Sequence, residues 1–331
     1  MSPTASVQFD ANVLQLDAAA EIDRIVARLR EITRGLRKRG LVVAISGGVD
    51  SSVCAALAVR AVGAQRVMTL ILPEHDSSPS SAHRAQLLAR QLELQPLTMD
   101  IGPTLDALGC YQWRDQAMRR ALPGYGADWK SKIVIRGGLE GQINRFHLIA
   151  IDPAGNQYDV RLPLAEYLEI VAATNFKQRT RKMVEYCHAD RLNYAVIGTP
   201  NRLEYDQGFF VKGGDGAADV KPIAHLYKTQ VYALAHALGL PEEITSARPT
   251  TDTYSLAQGQ DEFYFALPYE QMDLALWAHN HQVPAAQMAQ VLGITEEHGE
   301  RIYRDIEAKR RATQYLHLAP VLVEAVSEIE V

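Results

Sequence analysis

The sequence has little of what marks secreted, membrane-spanning or metal-bound proteins. Its three cysteines, Cys54, Cys110 and Cys187, are far apart and form no CxxC pair, so we predict neither a disulfide framework nor a zinc site and interpret all three as structural thiols. No run of eighteen apolar residues occurs, and residues 1–10 lack the charged and apolar regions of a signal peptide. We therefore expect a cytoplasmic protein without a membrane segment.

Excess positive charge is also missing. The formal net charge is −5 at pH 7, which provides no broad basic surface and argues against a nucleic-acid partner. Aromatic residues make up 7% of the 331 residues, hydrophobic residues 47% and charged residues 22%. This is an ordinary globular composition that can bury a large core, as one domain or as one domain with appendages. No tandem repeat or low-complexity tract is visible.

Neither of the two common nucleotide fingerprints is present. The chain contains no GxxxxGK[ST] and no GxGxxG, which excludes a Walker site and a dinucleotide Rossmann turn. Instead, the apolar run 41–45 (LVVAI) is followed directly by SGGVDSS at 46–52. The apolar run is typical of a buried parallel strand, and the residues from Cys54 to Val62 are typical of the helix that follows it.

The turn between this strand and helix has the composition of a phosphate site. Gly47 and Gly48 allow backbone N–H groups to approach an anion closely, and a helix N-terminus adds unpaired N–H groups and a positive dipole end. Serine hydroxyls supply further donors, and Asp50 can hold a Mg²⁺ that bridges phosphates. The alternative is a plain strand-to-helix turn whose serines cap the helix.

Strand and helix patterns alternate along the first two thirds of the chain. An amphipathic helix is predicted at 17–39, strands at 67–72, 96–100 and 194–199, and helices at 80–92 and 164–188. This alternation predicts an α/β fold with a doubly wound parallel sheet and flanking helices. Ligands of such sheets bind beyond the carboxyl ends of the strands, so Thr199 should face the same crevice as Gly47.

Two regions depart from the alternation. The segment at about 113–162 contains two strand patterns, 146–151 and 157–162, on either side of DPAGN, which predicts an inserted hairpin. The part at about 266–331 is predicted to be helical, with helices at 269–280, 284–292 and 296–313. We expect both within a single domain spanning 1–331.

A second polar stretch runs from GTPNRLE at 198–204 to GFFVKGGDGAAD at 208–219. Glycine and aspartate are poor strand formers, so this stretch is either an ordinary surface loop or a loop that covers a ligand.

Taken in order, these motifs resemble the NAD⁺ synthetase family of the N-type ATP pyrophosphatases. The motifs are SGGVDSS, NFKQRTR at 175–181, GTPNRLE, GFFVKGGDGAAD, LYK at 226–228 and RPTTD at 248–252. The resemblance implies an adenine nucleotide alpha hydrolase-like fold. It also implies an ammonia-dependent ligase that adenylates the carboxylate of deamido-NAD⁺, releases pyrophosphate and lets ammonia displace AMP.

The resemblance further implies site residues, ATP as cosubstrate and Mg²⁺ as cofactor. ATP would be held by Ser46, Gly47, Gly48, Val49, Asp50, Ser51, Ser52, Thr199, Lys228 and Thr250. Mg²⁺ would be bound by Asp50 and Glu204, and deamido-NAD⁺ by Asn175, Arg179, Lys212, Asp215 and Asp219. The implied catalytic residues are Asp50, Lys228 as a mobile point charge on the phosphates, and Asp215 as a candidate general base. Arg181 is left open between a ligand and a solvated helix face.

By resemblance we also expect a homodimer that uses free ammonia or a separate glutaminase. The sequence differs from the family pattern in two places, and these differences leave the identity of the acceptor undecided. A His-Lys-Arg stretch of the family is replaced by TQYLHLAP at 313–320, and the insert is longer than in the family. A cation for the acceptor would then come from Lys130, Lys132, Arg136 or Arg145. The alternatives are an ATP-dependent amide ligase for another carboxylate and a non-catalytic nucleotide-binding sensor.

Overall fold

The structure, a computed structural model, describes residues 9–126, 128–136, 145–247, 253–256, 259, 264, 267–324 and 326. None of the helices in these ranges is both long and apolar enough to cross a lipid bilayer.

A parallel sheet lies at the centre of the fold and confirms the predicted α/β architecture. The strands in chain order are β1 (Leu41–Ala44), β2 (Val67–Ile71), β3 (Leu97–Thr98), β4 (Lys130–Arg136), β5 (Arg145–Ile151), β6 (Gln157–Arg161) and β7 (Ala195–Val196). The central sheet has the order β3-β2-β1-β7, and β1 pairs in parallel with both β2 and β7. Residue Leu41 lies opposite Val67 on one side and Ala195 on the other.

Helices cover both faces of this sheet. The helices of the described residues, in chain order, are α1 (Ala18–Gly35), α2 (Val49–Val62), α3 (Pro79–Gln91), α4 (Gly102–Ala107), α5 (Cys110–Ala121), α6 (Leu164–Leu192), α7 (Arg202–Gln207), α8 (Lys228–Ala237), α9 (Glu242–Thr245), α10 (Tyr269–Asn280), α11 (Ala285–Leu292) and α12 (Glu296–Thr313). Because strand residues alternate between faces, Leu41 and Val43 enter the core formed with α1, α2 and α8. Val42 enters the opposite core with α4, α5 and α6.

The inserted segment forms a separate antiparallel sheet with the order β4-β5-β6. The predicted hairpin is confirmed as β5 and β6, whereas β4 is a third strand that the sequence analysis missed. The predicted start at 113 falls inside α5, so the sheet is reached only after that helix ends. Ile133 and Leu148 lie opposite each other and are fully buried in a core shared with α5 and α6.

The C-terminal helices α10, α11 and α12 pack together around Met272, Met288 and Ile306. Leu203 of α7 and Tyr227 join the same cluster, so the helical C-terminal part is anchored beside the helices that follow β7.

One helix boundary was predicted wrongly. Helix α2 begins at Val49 rather than Cys54, because the extended Gly48 forms its N-cap and Ser52 Oγ donates to the Gly48 carbonyl at 2.8 Å. Asp50 and Ser51 therefore lie in the first helical turn. Cys187 is exposed on α6, unlike the buried Cys54 and Cys110.

Candidate active site

The turn between β1 and α2 has a backbone geometry that depends on glycine. Gly47 has a φ of 80°, and a Cβ at this position would lie 2.2 Å from the Ser81 carbonyl oxygen. Ser46 Oγ lies 3.1 Å from Ser51 Oγ and accepts a 3.3 Å hydrogen bond from the Gly48 N–H. The first-turn N–H groups of α2 have no partner within the helix, as at any helix start, so they are available to an anion.

Beside this turn, the N-termini of three helices bring two carboxylates and one lysine together. Asp50 lies at the start of α2, Glu204 at the start of α7 and Lys228 at the start of α8. Asp50 Oδ2 accepts a hydrogen bond from Lys228 Nζ, and its Oδ1 accepts one from Asn201 Nδ2 at 3.1 Å. Asn201 also forms a reciprocal capping box with Glu204, at 3.1 and 3.2 Å.

Lys228 is a buried partner of these acids rather than a mobile side chain. Its side chain is 2% exposed. Burial disfavours its charged form, but Asp50 and Glu204 outweigh that penalty and raise the pKa of Lys228. The predicted mobile charge is therefore a fixed ammonium, already in place beside the turn between β1 and α2.

Asp273 of α10 holds the start of α8, and thus Lys228, in position. Its Oδ1 accepts the Lys228 N–H at 3.1 Å and its Oδ2 accepts the Thr229 N–H at 2.7 Å. The carboxyl group is fully buried, and this burial raises its pKa to about 7 although both backbone donors favour the anion. Asp273 is a positioning residue that the sequence analysis did not select, and a lone acid on a helix gave no signal for this role.

We expect Asp273→Ala to lower the free energy of unfolding by about 2 kcal/mol, because it leaves two buried N–H groups without an acceptor. The matched control is Asp17→Ala. Asp17 also accepts two N–H groups, from Ala19 and Ala20 at the start of α1, but it is exposed and should cost about 1 kcal/mol. Urea denaturation of both variants without ligands measures the difference. Equal losses would contradict the role assigned to the buried cap.

The carboxylates of Asp50 and Glu204 suit a hard cation. The described residues contain no group of three or more His, Cys, Asp or Glu side chains that could hold a metal ion by themselves. Magnesium differs from zinc in this respect, because it commonly takes one or two carboxylates and completes its shell with substrate phosphates and water. The pair next to a turn that could bind phosphates therefore fits Mg²⁺.

A cavity of about 820 Å³ opens at the carboxyl ends of the central strands. Its wall includes most of the predicted site residues: Ser46, Gly47, Gly48, Val49, Asp50, Ser51, Thr199, Glu204 and Lys228, predicted for ATP or Mg²⁺, and Asn175, Arg179, Lys212 and Asp215, predicted for the acceptor. Thr250 lies outside the described residues. The structure thus brings thirteen of the residues selected from the sequence around one space.

Two predicted ligands do not line this cavity. Ser52 is fully buried and bonds to the Gly48 carbonyl, so it shapes the turn. Asp219 accepts the Val196 N–H at 2.7 Å and ties the glycine-rich stretch to the end of β7. Asp215 reaches the wall, but its Oδ1 accepts the Val211 N–H at 2.7 Å, and burial raises the pKa of this carboxyl group.

Further cations line the cavity. Arg84 of α3, which was not predicted, donates to the Gly47 carbonyl at 2.9 Å. Arg181, which the sequence left open, donates to the Leu72 carbonyl at 3.2 Å rather than facing solvent. Lys309 of α12 donates to Asp305 and to the Tyr264 carbonyl, each at 2.5 Å. The proposed insert cations, Lys130, Lys132, Arg136 and Arg145, are not part of the wall.

The altered C-terminal stretch closes one side of the cavity. Lys212 Nζ donates to the Tyr315 carbonyl at 2.8 Å and lies 5.4 Å from the centre of the Tyr315 ring. Leu316 also lines the wall, whereas the ring of His317 packs edge-on against Tyr205 and Phe210. Arg179 donates to the Lys212 carbonyl at 3.2 Å, which joins α6 to the same loop.

Comparison with known proteins agrees with this geometry. A profile of the NAD synthase family matches residues 21–121 and 141–314. The NH(3)-dependent NAD(+) synthetase of Rhizobium meliloti (strain 1021) is 59% identical over 323 residues, which are 97% of each chain. That of Mesorhizobium japonicum is 55% identical over 96% of this chain and 100% of the relative. The solved NH3-dependent NAD synthetase of Campylobacter jejuni shares the fold, with a TM-score of 0.61 and 20% identity over 93% of this chain and 100% of that one.

Proposed function

Because the chain belongs to the NAD synthase family, we infer that it catalyses the ATP-dependent amidation of deamido-NAD⁺ with ammonia, releasing AMP and pyrophosphate. The observation that carries this inference is the joint placement of a phosphate-binding turn and the Asp50–Lys228 pair in one cavity with Asn175, Arg179 and Lys212. Near-complete matches to relatives named for the same activity disfavour the two alternatives, another carboxylate or a sensor without turnover.

The reaction requires little covalent chemistry from the protein. A carboxylate oxygen of the substrate attacks the α-phosphorus of ATP, the bond to the bridging oxygen breaks, and pyrophosphate leaves with that electron pair. Ammonia then attacks the acyl carbon, AMP leaves with the oxygen that joined it to the carbonyl, and the nitrogen loses a proton. Both steps depend mainly on positioning and on stabilising the developing negative charge.

The residues on the phosphate side supply that stabilisation. The N–H groups at the start of α2 and the Lys228 ammonium face the space where the phosphates would lie. Asp50 and Glu204 would hold Mg²⁺, which neutralises charge on the leaving pyrophosphate when bound. Because Lys228 is held by Asp50 before any ligand arrives, its charge needs no reorganisation during the reaction.

We propose that the acceptor binds along α6. Asn175 and Arg179 lie one helical turn apart on α6, and Lys212 approaches them from the glycine-rich stretch. Cations here suit the phosphates of a dinucleotide. We propose that the active form is a homodimer and that the ammonia is free or supplied by a separate glutaminase.

Product analysis tests the function. With ATP, Mg²⁺, ammonium and deamido-NAD⁺, we expect AMP, pyrophosphate and NAD⁺ in equal amounts. Release of ADP and inorganic phosphate would place cleavage at the γ position and contradict the proposal. Pyrophosphate release with other carboxylates but none with deamido-NAD⁺ would favour the alternative acceptor.

A further inference from the structure

One end of the cavity wall is built from the inserted sheet and has no role in the reaction described so far. Ile135 of β4 and Phe146 of β5 lie opposite each other in the sheet, so both side chains are on the same face. Both line the cavity, whereas their neighbours on that face, Ile133 and Leu148, are fully buried beneath it. The sheet thus presents its apolar edge to the ligand space.

Helix α6 connects this apolar end to the acceptor residues. Tyr167, Val171, Asn175 and Arg179 recur every four residues and all line the cavity, so they form one face of the helix. The face changes from apolar to polar along its length. From Tyr167 to Asn175 the helix rises about 12 Å.

Phe146 and Tyr167 form a preassembled pair of rings at that end. Their ring centroids are 3.7 Å apart with an interplanar angle of 13°. Both rings are partly buried against the core of the inserted sheet, which fixes their orientation. The cavity wall also contains the uncharged residues Ile135, Val171, Thr174 and Tyr254.

ATP has a different apolar surface available for its own base. Ile45, Ile71 and Leu72 line the cavity directly beside the phosphate-binding turn, at the carboxyl ends of β1 and β2. The Phe146–Tyr167 pair lies away from this surface, because Tyr167 is about 21 Å along α6 from Arg181, which donates to the Leu72 carbonyl.

We propose that Ile135, Phe146 and Tyr167 form a subsite for the distal base of a dinucleotide acceptor. This rests on the proposed function and adds a specificity determinant to it. The reacting nucleotide lies near Lys228, its phosphates face Arg179 and Lys212, and the second base stacks on the outer side of the aromatic pair. Base-aromatic stacking favours a planar ring without reading its identity, so the subsite selects a dinucleotide over a mononucleotide.

The test compares two acceptor-site ligands that differ in the distal nucleotide. Phe146→Leu keeps an apolar side chain but removes the ring, and we expect it to raise the KM for deamido-NAD⁺ about tenfold. The KM for ATP and the competitive inhibition constant of nicotinate mononucleotide, which lacks the distal base, should stay within about twofold, because neither ligand reaches the ring pair. Phe146→Trp keeps a ring for stacking and should retain the low KM.

The matched control is Tyr158→Leu. Tyr158 lies on β6 of the same sheet and stacks on Trp129 at 4.9 Å, but it is not part of the cavity wall. The KM of the Tyr158→Leu variant for deamido-NAD⁺ should equal that of the unmodified protein.

Three results would overturn the subsite: an unchanged KM for deamido-NAD⁺ in Phe146→Leu, an equal rise in the KM for ATP, or an equal loss in Phe146→Trp. Failure of the unmodified protein to amidate deamido-NAD⁺ would instead remove the proposed function. The two failures are therefore distinguishable.

Discussion

Asp50→Asn and Glu204→Gln should each lower kcat by about 10²–10³-fold, the effect of losing one preorganised charge at a reacting phosphate. Both changes remove a negative charge that would bind Mg²⁺, so the Mg²⁺ concentration needed for half-maximal rate should also rise. The Gln side chain can still accept the Asn201 N–H in the capping box, so α7 should remain intact in the Glu204 variant.

Initial rates at a series of Mg²⁺ concentrations measure this prediction, with thermal unfolding as the check on folding. The control is Asp23→Asn, which removes an exposed acid from α1 and should leave the rate unchanged. A folded Asp50 or Glu204 variant that keeps turnover within about twofold of the unmodified protein would contradict the metal role.

Lys228→Met should reduce kcat/KM for ATP. The corresponding loss of transition-state stabilisation should be about 2–4 kcal/mol. Methionine retains the apolar stem of the buried lysine but lacks the ammonium group, so the loss reports the charge rather than a cavity. The variant also leaves the Asp50 carboxylate without its partner, which should lower the free energy of unfolding. We therefore expect losses in both activity and stability.

A double variant separates these two effects. Asp50→Asn with Lys228→Met removes both members of the pair, so its stability loss should be smaller than the sum of the two single losses. Activity should not recover, because both charges are needed at the phosphates. Lys130→Ala, on the exposed start of β4, is the control. Unchanged kcat/KM in a folded Lys228→Met variant would place this lysine outside the reaction.

Local patterns were sufficient to predict much of the fold. The apolar run before SGGVDSS gave β1, and helical spacing gave α1, α10 and α12 with bounds that agree within a few residues. The predicted start of a helix was wrong where a capping residue determines it. The extended backbone of Gly48 starts α2 earlier than the apolar pattern indicated, and β7 is only two residues long although its apolar run is longer.

The candidate site was predictable where short motifs lie close in space and not where a tertiary contact defines the role. Asp50, Glu204 and Lys228 come from three separate motifs and meet in one cluster. The sequence alone could not show that Lys228 is buried against Asp50, or that Asp273 of a distant helix accepts its N–H. Likewise, Asp219 resembles a ligand by position, yet its carboxylate is used by the backbone of β7.

The inserted sheet was also predicted only in part from the sequence. Strand patterns and the DPAGN turn predicted the hairpin, but they could not place its outer strand or its contact with α6. Counting charges suggested its lysines and arginines as acceptor ligands, whereas the structure brings its apolar residues Ile135 and Phe146 to the cavity. Pairing register, which periodicity alone leaves open, decided which side chains face the ligand space.

The central claim is that the carboxylate of deamido-NAD⁺ is adenylated in this cavity before ammonia reacts. Isotope transfer tests it most directly, using deamido-NAD⁺ whose carboxylate carries heavy oxygen, together with ATP, Mg²⁺ and ammonium, followed by mass spectrometry of the products. Adenylation predicts that each AMP contains one labelled oxygen and each NAD⁺ amide retains the other. Unlabelled AMP accompanying NAD⁺ formation would show that ATP is cleaved without bonding to the carboxylate, which would contradict the account.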